Sequence, residues 1–163
     1  MNFFEFEIPA YTTSRDWAVY IIVATHKINK NKLLYVGKVG DNRDGCNPII
    51  SRIGNHFSFT KGHSQLRNKI SDTTNFNYKI YYCTIGIYNE SNNYDSRGKI
   101  NEVERRLNII VQSKLIEKKG EFKLLNHYKG WGINKENKDK RQKILTEDEV
   151  KGLEKLADNA LEN

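Results

Sequence analysis

Cysteine is scarce in this chain: Cys46 and Cys83 are the only two among 163 residues. They stand far apart, and neither a Cys-x-x-Cys spacing nor a paired histidine spacing accompanies them. The sequence therefore argues against a structural zinc site. A single disulfide between the two cysteines stays open, but one bridge does not make the disulfide framework of a small secreted protein.

Long apolar runs are also absent. No stretch approaches the ~20 apolar residues that are needed to span a bilayer, so no membrane function is predicted. The first residues, Met1 to Glu7, lack the basic flank and the long apolar core of a signal peptide. We therefore expect a cytoplasmic protein.

Acidic residues are outnumbered, with 20 aspartates and glutamates against 27 lysines and arginines, which gives a net charge of +7. Residues 146–163 hold six of these acids and two lysines, so the rest of the chain carries 25 bases against 14 acids. A basic body of this kind favours a polyanionic partner, with nucleic acid the first candidate. A lysine-rich, solvated surface would give the same counts.

The length suits one domain that spans residues 1–163. Residues 17–24 are nearly continuous in β-branched and aromatic side chains, which predicts a strand buried on both faces. Residues 32–38 follow a polar turn and predict its antiparallel partner, and residues 76–85 alternate as a third strand. Residues 3–8 alternate in part and predict an edge strand or a clasp over the core.

Helical signals come between and after these strands. Asn47-Pro48 predicts a helix start with Asn47 as the N-cap, and residues 62–70 predict a polar turn and a further short helix. After a loop at 89–98, apolar residues at helical spacing predict a long helix over 99–119. Thr146 opens a last helix with a capping box. We therefore expect an α/β domain with a small, mostly antiparallel three-stranded central sheet flanked by helices.

The chain is organised around residues 34–38, which read Leu-Tyr-Val-Gly-Lys. A strand that ends in Tyr35-x-Gly37 presents a phenol and a bare backbone that a phosphate could approach closely. On the next helix, Arg52 and His56 are four residues apart and share one face, so both can act on one ligand. Without this context, a surface arginine and a helix-terminal histidine bonded to backbone carbonyls would be the more common explanation.

The order of these features resembles the GIY-YIG nuclease family, over residues 17–126. Five elements carry the resemblance, and they are Tyr20 in a hydrophobic strand, Tyr35-Val36-Gly37 in the next, Arg52 on the first helix, an acid on a later helix, and Asn126 beyond it. The spacing from Arg52 to His56 is similar to that of family members that act as restriction endonucleases. The first motif departs from the family, because Ala18-Val19-Tyr20 stands in place of Gly-Ile-Tyr but retains the tyrosine. Residues 134–163 lie outside the resemblance and form a basic run plus a C-terminal amphipathic helix.

The resemblance implies a metal-dependent endonuclease that hydrolyses DNA phosphodiester bonds. It implies that Tyr20 activates the attacking water with help from Tyr35 or His56, because a phenol with a pKa near 10 needs assistance. Arg52 would clamp a non-bridging phosphate oxygen. Asn126 would orient the site by hydrogen bonding.

The metal-binding acid stays open among three residues. In the family it precedes a Leu-Ile pair, and Leu115-Ile116 would place Gln112 there. On a helical wheel, Glu104 lies at the border of the core stripe, whereas Glu102 and Gln112 point away from it. We take Glu104 as the ligand of one Mg²⁺, or of Mn²⁺, because a carboxylate oxygen suits such hard cations. If Gln112 were the equivalent, the protein would be a catalytically inactive DNA-binding or regulatory relative.

Double-stranded DNA is the expected partner. A restriction-type enzyme is favoured because one domain leaves no room for a separate targeting module, and a homodimer is the easiest way for such an enzyme to cut both strands. The residues predicted to contact nucleic acid are basic or histidine side chains outside the catalytic set, namely Lys38, Arg43, His63, Arg67, Lys138 and Arg141.

Overall fold

The computed structural model describes residues 1–40, 46–88, 93–118, 120–129 and 143–162, without the side chains of residues 93–97. Its strands are β1 (Asp16–His26), β2 (Lys32–Val39), β3 (Phe76–Ile87) and β4 (Phe122–Leu124). They form one sheet in the order β3-β1-β2-β4, in which β1 is antiparallel to β2 and β3, and β2 is parallel to β4. The α/β class and the mostly antiparallel pairing are confirmed. The sheet has four strands rather than the predicted three. The sequence did not predict β4 because a strand of three residues is too short to show an alternating pattern.

Strand β1 is the centre of the molecule. Every residue from Trp17 to Ala24 is buried, which confirms the strand predicted to be covered on both faces. In its register with β2, Tyr20 lies opposite Gly37 and Ile22 lies opposite Tyr35. Residues that face each other across a pair point to the same side of the sheet, so Tyr20 and Tyr35 share one face.

The helices are α1 (Ile49–His56), α2 (Asn93–Glu117) and α3 (Glu147–Leu161). Helices α2 and α3 pack on each other, α2 also against β1 and β2, and α3 against β1 and β3. Lys38 on β2 points away from the face of Tyr35 and reaches α2, whereas His56 of α1 contacts Tyr20 and Tyr35. The sheet therefore lies between α1 on one side and the pair α2 and α3 on the other.

Helix ends follow the sequence signals in one case and depart from them in two. The Thr146 hydroxyl accepts from the backbone N–H of Glu149, and the Glu149 carboxylate accepts from that of Thr146, so the capping box is confirmed. Asn47 does not cap α1, because Pro48 keeps an extended ψ of 152° and itself takes the N-cap position. Helix α2 begins six residues before the predicted start, at Asn93, so the predicted loop is wrong for residues 93–98.

Further expectations concern the N-terminal residues, the segment after α1, the two cysteines and membrane spans. Residues 3–8 form neither a strand nor a clasp, since all six side chains are exposed. Residues 62–70 form turns, so the predicted turn is confirmed and the predicted short helix is wrong, although Leu66 and Ile70 are buried. Cys46 and Cys83 are both free thiols, which closes the question of a disulfide. In the described part of the chain, no helix is both long and apolar enough to cross a membrane.

Candidate active site

Two tyrosines and a histidine meet on the α1 face of the sheet. Tyr20 and His56 are both fully buried, and the Tyr20 hydroxyl oxygen lies 2.6 Å from Nε2 of His56. The rings of Tyr20 and Tyr35 stand edge-on to the imidazole, with centroid distances of 5.7 and 4.8 Å. The imidazole is therefore held between two phenol rings, and its orientation is fixed.

Gly37 makes room for this arrangement. A Cβ built at Gly37 would lie 2.4 Å from both Cζ and the hydroxyl oxygen of Tyr20, where ordinary contacts lie at 3.4–4 Å. The strand continues to Val39 instead of ending at the glycine. The bare backbone that we expected a phosphate to approach is therefore covered by the ring of Tyr20.

Burial sets the protonation states of the three rings. It raises the pKa of Tyr20 well above its usual value and that of Tyr35 to about 12, with Arg52 opposing both shifts and Glu104 adding to them. It lowers the pKa of His56 to about 4, and the Arg52 charge acts in the same direction. At neutral pH the free protein thus holds two neutral phenols and a neutral imidazole. Nδ1 of His56 is buried and has no hydrogen-bond partner among the described residues. The tautomer with a proton on Nδ1 leaves Nε2 free to accept the Tyr20 proton.

Arg52 supplies the positive charge of the site. It lies one helical turn before His56 on α1 and is half-buried. Its guanidinium acts on Tyr20 both as a charge and through a side-chain hydrogen bond, and as a charge on Tyr35 and His56. A planar guanidinium next to a bound phenol presents further N–H donors that suit phosphate oxygens.

Glu104 enters from α2. Its Oε2 lies 3.0 Å from Nζ of Lys38, and the same ammonium donates to the side-chain oxygen of Asn101. The Glu104 side chain is 31% exposed, and its charge is close enough to raise the pKa of both Tyr20 and Tyr35. Lys38, which we predicted to contact DNA, is thus bound to the candidate metal ligand in the free protein.

The described residues offer Mg²⁺ an open site at Glu104 rather than a closed one. Among residues 1–40, 46–88, 93–118, 120–129 and 143–162, no three histidine, cysteine, aspartate or glutamate side chains are grouped to hold a metal. Mg²⁺ often takes one or two carboxylates and completes its shell with water and substrate phosphates. Glu104, a partly exposed carboxylate with an amide oxygen beside it, fits that mode of binding and does not form a closed cage.

The two alternatives to Glu104 are both occupied elsewhere. Glu102 is 2% exposed, and both its carboxylate oxygens accept from the guanidinium of Arg105, which is 8% exposed. The prediction that Glu102 points away from the core is therefore wrong, because the partner three residues later allows the charge to be buried. Gln112 donates to the side-chain oxygen of Asn108 at 2.6 Å and is half-buried.

Asn126 fastens the strand that carries Tyr35. Its Nδ2 donates to the Val36 carbonyl at 2.6 Å, and its Oδ1 accepts from the Val36 N–H at 3.0 Å. The Asn126 carbonyl in turn accepts from Nδ2 of Asn108, at 2.8 Å, on α2. Sequence reasoning missed Asn108, although a polar residue four positions after Glu104 and next to the apolar stripe of α2 was the available signal. The three side chains Gln112, Asn108 and Asn126 connect α2 to β2 beside Tyr35.

The residues predicted to contact DNA differ in their exposure and in their hydrogen bonds. His63 is exposed on the segment that follows α1. Arg67 donates from Nε to the Phe57 carbonyl at 2.9 Å, and its guanidinium lies over the ring of Phe59. Three of the predicted contacts lie outside the described residues, namely Arg43, Lys138 and Arg141.

Comparison of the chain with protein-family models, with curated proteins and with solved structures finds no match.

Proposed function

We propose that the protein is a metal-dependent endonuclease of the GIY-YIG type that hydrolyses double-stranded DNA in the manner of a restriction enzyme. The observation that carries this proposal is the contact of 2.6 Å between the Tyr20 hydroxyl and Nε2 of the neutral, buried His56, with the Arg52 guanidinium beside it. Tyr20 and His56 together offer a route for a proton, and Arg52 offers a cation that can bind a phosphate. Two copies of the chain would bring one site to each DNA strand.

The proton route answers a difficulty that burial creates. A neutral phenol with a raised pKa does not lose its proton readily, so Tyr20 can take a proton from water and stay neutral only if it gives up its own proton at the same time. If Tyr20 passes its proton to Nε2 of His56 as it takes one from the attacking water, the phenol stays neutral throughout. The positive charge then appears on the imidazole.

Substrate binding would make this transfer easier. The pKa of His56 is low because the imidazole is buried beside the positive charge of Arg52. A phosphodiester bound to Arg52 brings a negative charge close to the imidazole and offsets that of the guanidinium, and both effects favour the imidazolium form. The same guanidinium would stabilise the charge that develops on the phosphate oxygens.

Glu104 would hold Mg²⁺ together with water and the substrate phosphate. The bound ion would supply Lewis-acid stabilisation of the phosphate and of the departing oxygen. Lys38 neutralises Glu104 in the free protein, and its ammonium would become available to a DNA phosphate if a cation bound to Glu104 in its place. Asn126 and Asn108 hold the backbone next to Tyr35 and act as positioning residues.

The test is cleavage of DNA of varied sequence with Mg²⁺ by the wild type and matched variants. Glu104→Gln should remove cleavage and leave DNA binding intact, because it deletes a carboxylate charge without changing the side-chain volume. Arg52→Ala should lower the rate by at least ~10² and also weaken binding, since the guanidinium contacts the phosphate before and during reaction. Glu117→Gln makes the same chemical change at an exposed position of α2 and should leave the rate unchanged.

A second candidate is a nuclease fold retained for DNA binding or regulation without cleavage. It is favoured by the pairing of Glu104 with Lys38 and by the absence, among the described residues, of any group of three or more histidine, cysteine, aspartate or glutamate side chains that could hold a metal. A wild-type protein that binds DNA but cuts no sequence with Mg²⁺ or Mn²⁺ would replace the enzyme with this candidate. Cleavage that survives in Glu104→Gln would show that the metal ligand lies elsewhere.

A further inference from the structure

Residues 45–71, which contain α1 and the segment after it, combine positive charge with an exposed aromatic ring. Residues 45–71 contain four lysines or arginines and no aspartate or glutamate. Within this stretch Phe59 is 87% exposed, and Lys61, His63 and Lys69 around it in sequence are exposed as well. A single exposed phenylalanine is common on protein surfaces and carries no meaning by itself. The contacts of this one distinguish it.

Phe59 is held in place by a cation that is anchored to the candidate active site. The Arg67 guanidinium lies 4.0 Å from the centre of the Phe59 ring. Arg67 also donates from Nε to the carbonyl of Phe57, at 2.9 Å, and its backbone N–H donates to the carbonyl of His56, at 3.2 Å. The ring is thus pre-oriented while most of its surface stays in solvent, which reduces the entropy lost when it binds a partner.

We propose that Phe59 is a nucleobase-contact residue, whose ring stacks against a base of bound DNA while the lysines around it meet the flanking phosphates. Every base offers a π face, so stacking on an exposed aromatic ring needs no particular sequence. Phenylalanine also serves as a wedge between base steps in proteins that bend duplex DNA. This assignment rests on the proposed function, because it takes the ligand of the site to be DNA.

The chain length between the two residues places the contacted base near the reacting phosphate. Three peptide units join His56 to Phe59, so their Cα atoms are at most ~11 Å apart. Consecutive base pairs are ~3.4 Å apart along the duplex axis. The contacted base therefore lies within a few nucleotides of the phosphate that Arg52 would hold.

A protein partner is the competing explanation for an exposed phenylalanine. The composition of residues 45–71, which hold four cations and no acid, disfavours an uncharged protein surface, because these cations would lose hydration there without gaining partners. A DNA backbone supplies those partners at regular intervals.

The experiment measures equilibrium binding to short DNA duplexes of mixed sequence that carry 2-aminopurine at successive positions, in EDTA so that no strand is cut. Four proteins are compared, namely the wild type, Phe59→Ala, Phe59→Tyr and the control Phe6→Ala. Phe6→Ala removes the same ring at a position that is 82% exposed and lies outside residues 45–71. The wild type should change the fluorescence at a cluster of neighbouring positions.

Phe59→Ala should lose that fluorescence change and bind roughly 5–150-fold more weakly, which corresponds to one base stacked on an aromatic ring. Phe59→Tyr keeps the ring and should retain both properties, and Phe6→Ala should behave as the wild type. The base contact is overturned if Phe59→Ala matches Phe6→Ala, if Phe59→Tyr is as weak as Phe59→Ala, or if the wild type binds none of the duplexes. Cleavage with Mg²⁺ is scored separately, so that a Phe59 effect in a protein that never cuts would reject the nuclease activity and keep the base contact.

Discussion

Replacement of Gly37 by alanine tests how the two tyrosines are brought together. The new methyl group would lie about 1 Å closer to Cζ and the hydroxyl of Tyr20 than ordinary contact allows. The ring has nowhere to move, because Tyr20 is fully buried and its hydroxyl is bound to His56. Either the strand pair opens around Gly37 or the phenol leaves the imidazole.

The cost can be bounded from overpacking in other cores. Extra methyl groups in well-packed interiors destabilise by roughly 1–3 kcal/mol. For a chain of this length, each kcal/mol lowers the melting temperature by roughly 2–4 °C, so we expect a decrease of about 2–12 °C. Thermal unfolding followed by circular dichroism measures it.

The control is Gly152→Ala on α3, where a Cβ would meet nothing within 4 Å. Alanine is favoured over glycine in a helix by up to about 1 kcal/mol, so this variant should be slightly more stable than the wild type. A second measurement repeats Gly37→Ala in a Tyr20→Leu background, where the ring is absent. The two changes should then couple by roughly 0.5–3 kcal/mol. Equal costs of Gly37→Ala in both backgrounds would refute the steric explanation.

Two further predictions concern buried charge. The pKa of His56 lies at about 4 in the folded protein and at 6.5 without burial, so the unfolded chain binds more protons between these values. The free energy of unfolding should therefore be at its full value above pH 6.5 and fall by about 3 kcal/mol as the pH drops to 4. Urea unfolding across this range should show a smaller decrease for His56→Gln than for the wild type. The exposed His63→Gln should show the same decrease as the wild type. Glu102→Gln should destabilise by roughly 3–5 kcal/mol because it leaves the buried Arg105 charge without its partner. A Glu102→Gln protein with wild-type stability in the same urea assay would show that the pair is not buried in solution.

The sequence was informative where one physical cause dominates a segment. The strand from Trp17 to Ala24 is apolar because both its faces are covered, and this leaves a strong compositional signal. The capping box of Thr146 and Glu149 is a local hydrogen-bond pattern that needs no tertiary contact. The pairing of β2 with β4 joins residues about 90 positions apart over three residues only, and no local pattern announces it.

In the candidate site, too, local features could be predicted from the sequence, whereas features that depend on tertiary packing could not. Helical spacing was enough to place Arg52 and His56 on one face of α1, but the burial of His56 under Tyr20 depends on how the helix docks on the sheet. The prediction for Glu102 was wrong because a helical wheel centred on the apolar residues Val103 and Leu107 places Glu102 away from the core stripe, where a charged side chain avoids the cost of burial. Its salt bridge with Arg105 removes that penalty, and only the three-dimensional arrangement shows which charged residues find such partners.

The hydrogen bonds of α2 bear on which of its acids serves the site. Asn108 bonds to the Asn126 carbonyl, and Asn126 is bound to Val36 on β2, so the rotation of α2 about its axis is fixed relative to the strand that carries Tyr35. Glu104 lies one helical turn before Asn108 and therefore on the same side of α2. Its contact with Lys38 on β2 agrees with that geometry. Glu102 is rotated by about 200° from Glu104 on the helix, so no small shift of α2 can exchange the two carboxylates while Asn108 keeps its bond. The choice of Glu104 over Glu102 thus depends on the hydrogen bond that the Asn108 side-chain amide donates one helical turn away, because this bond fixes the rotation of the helix.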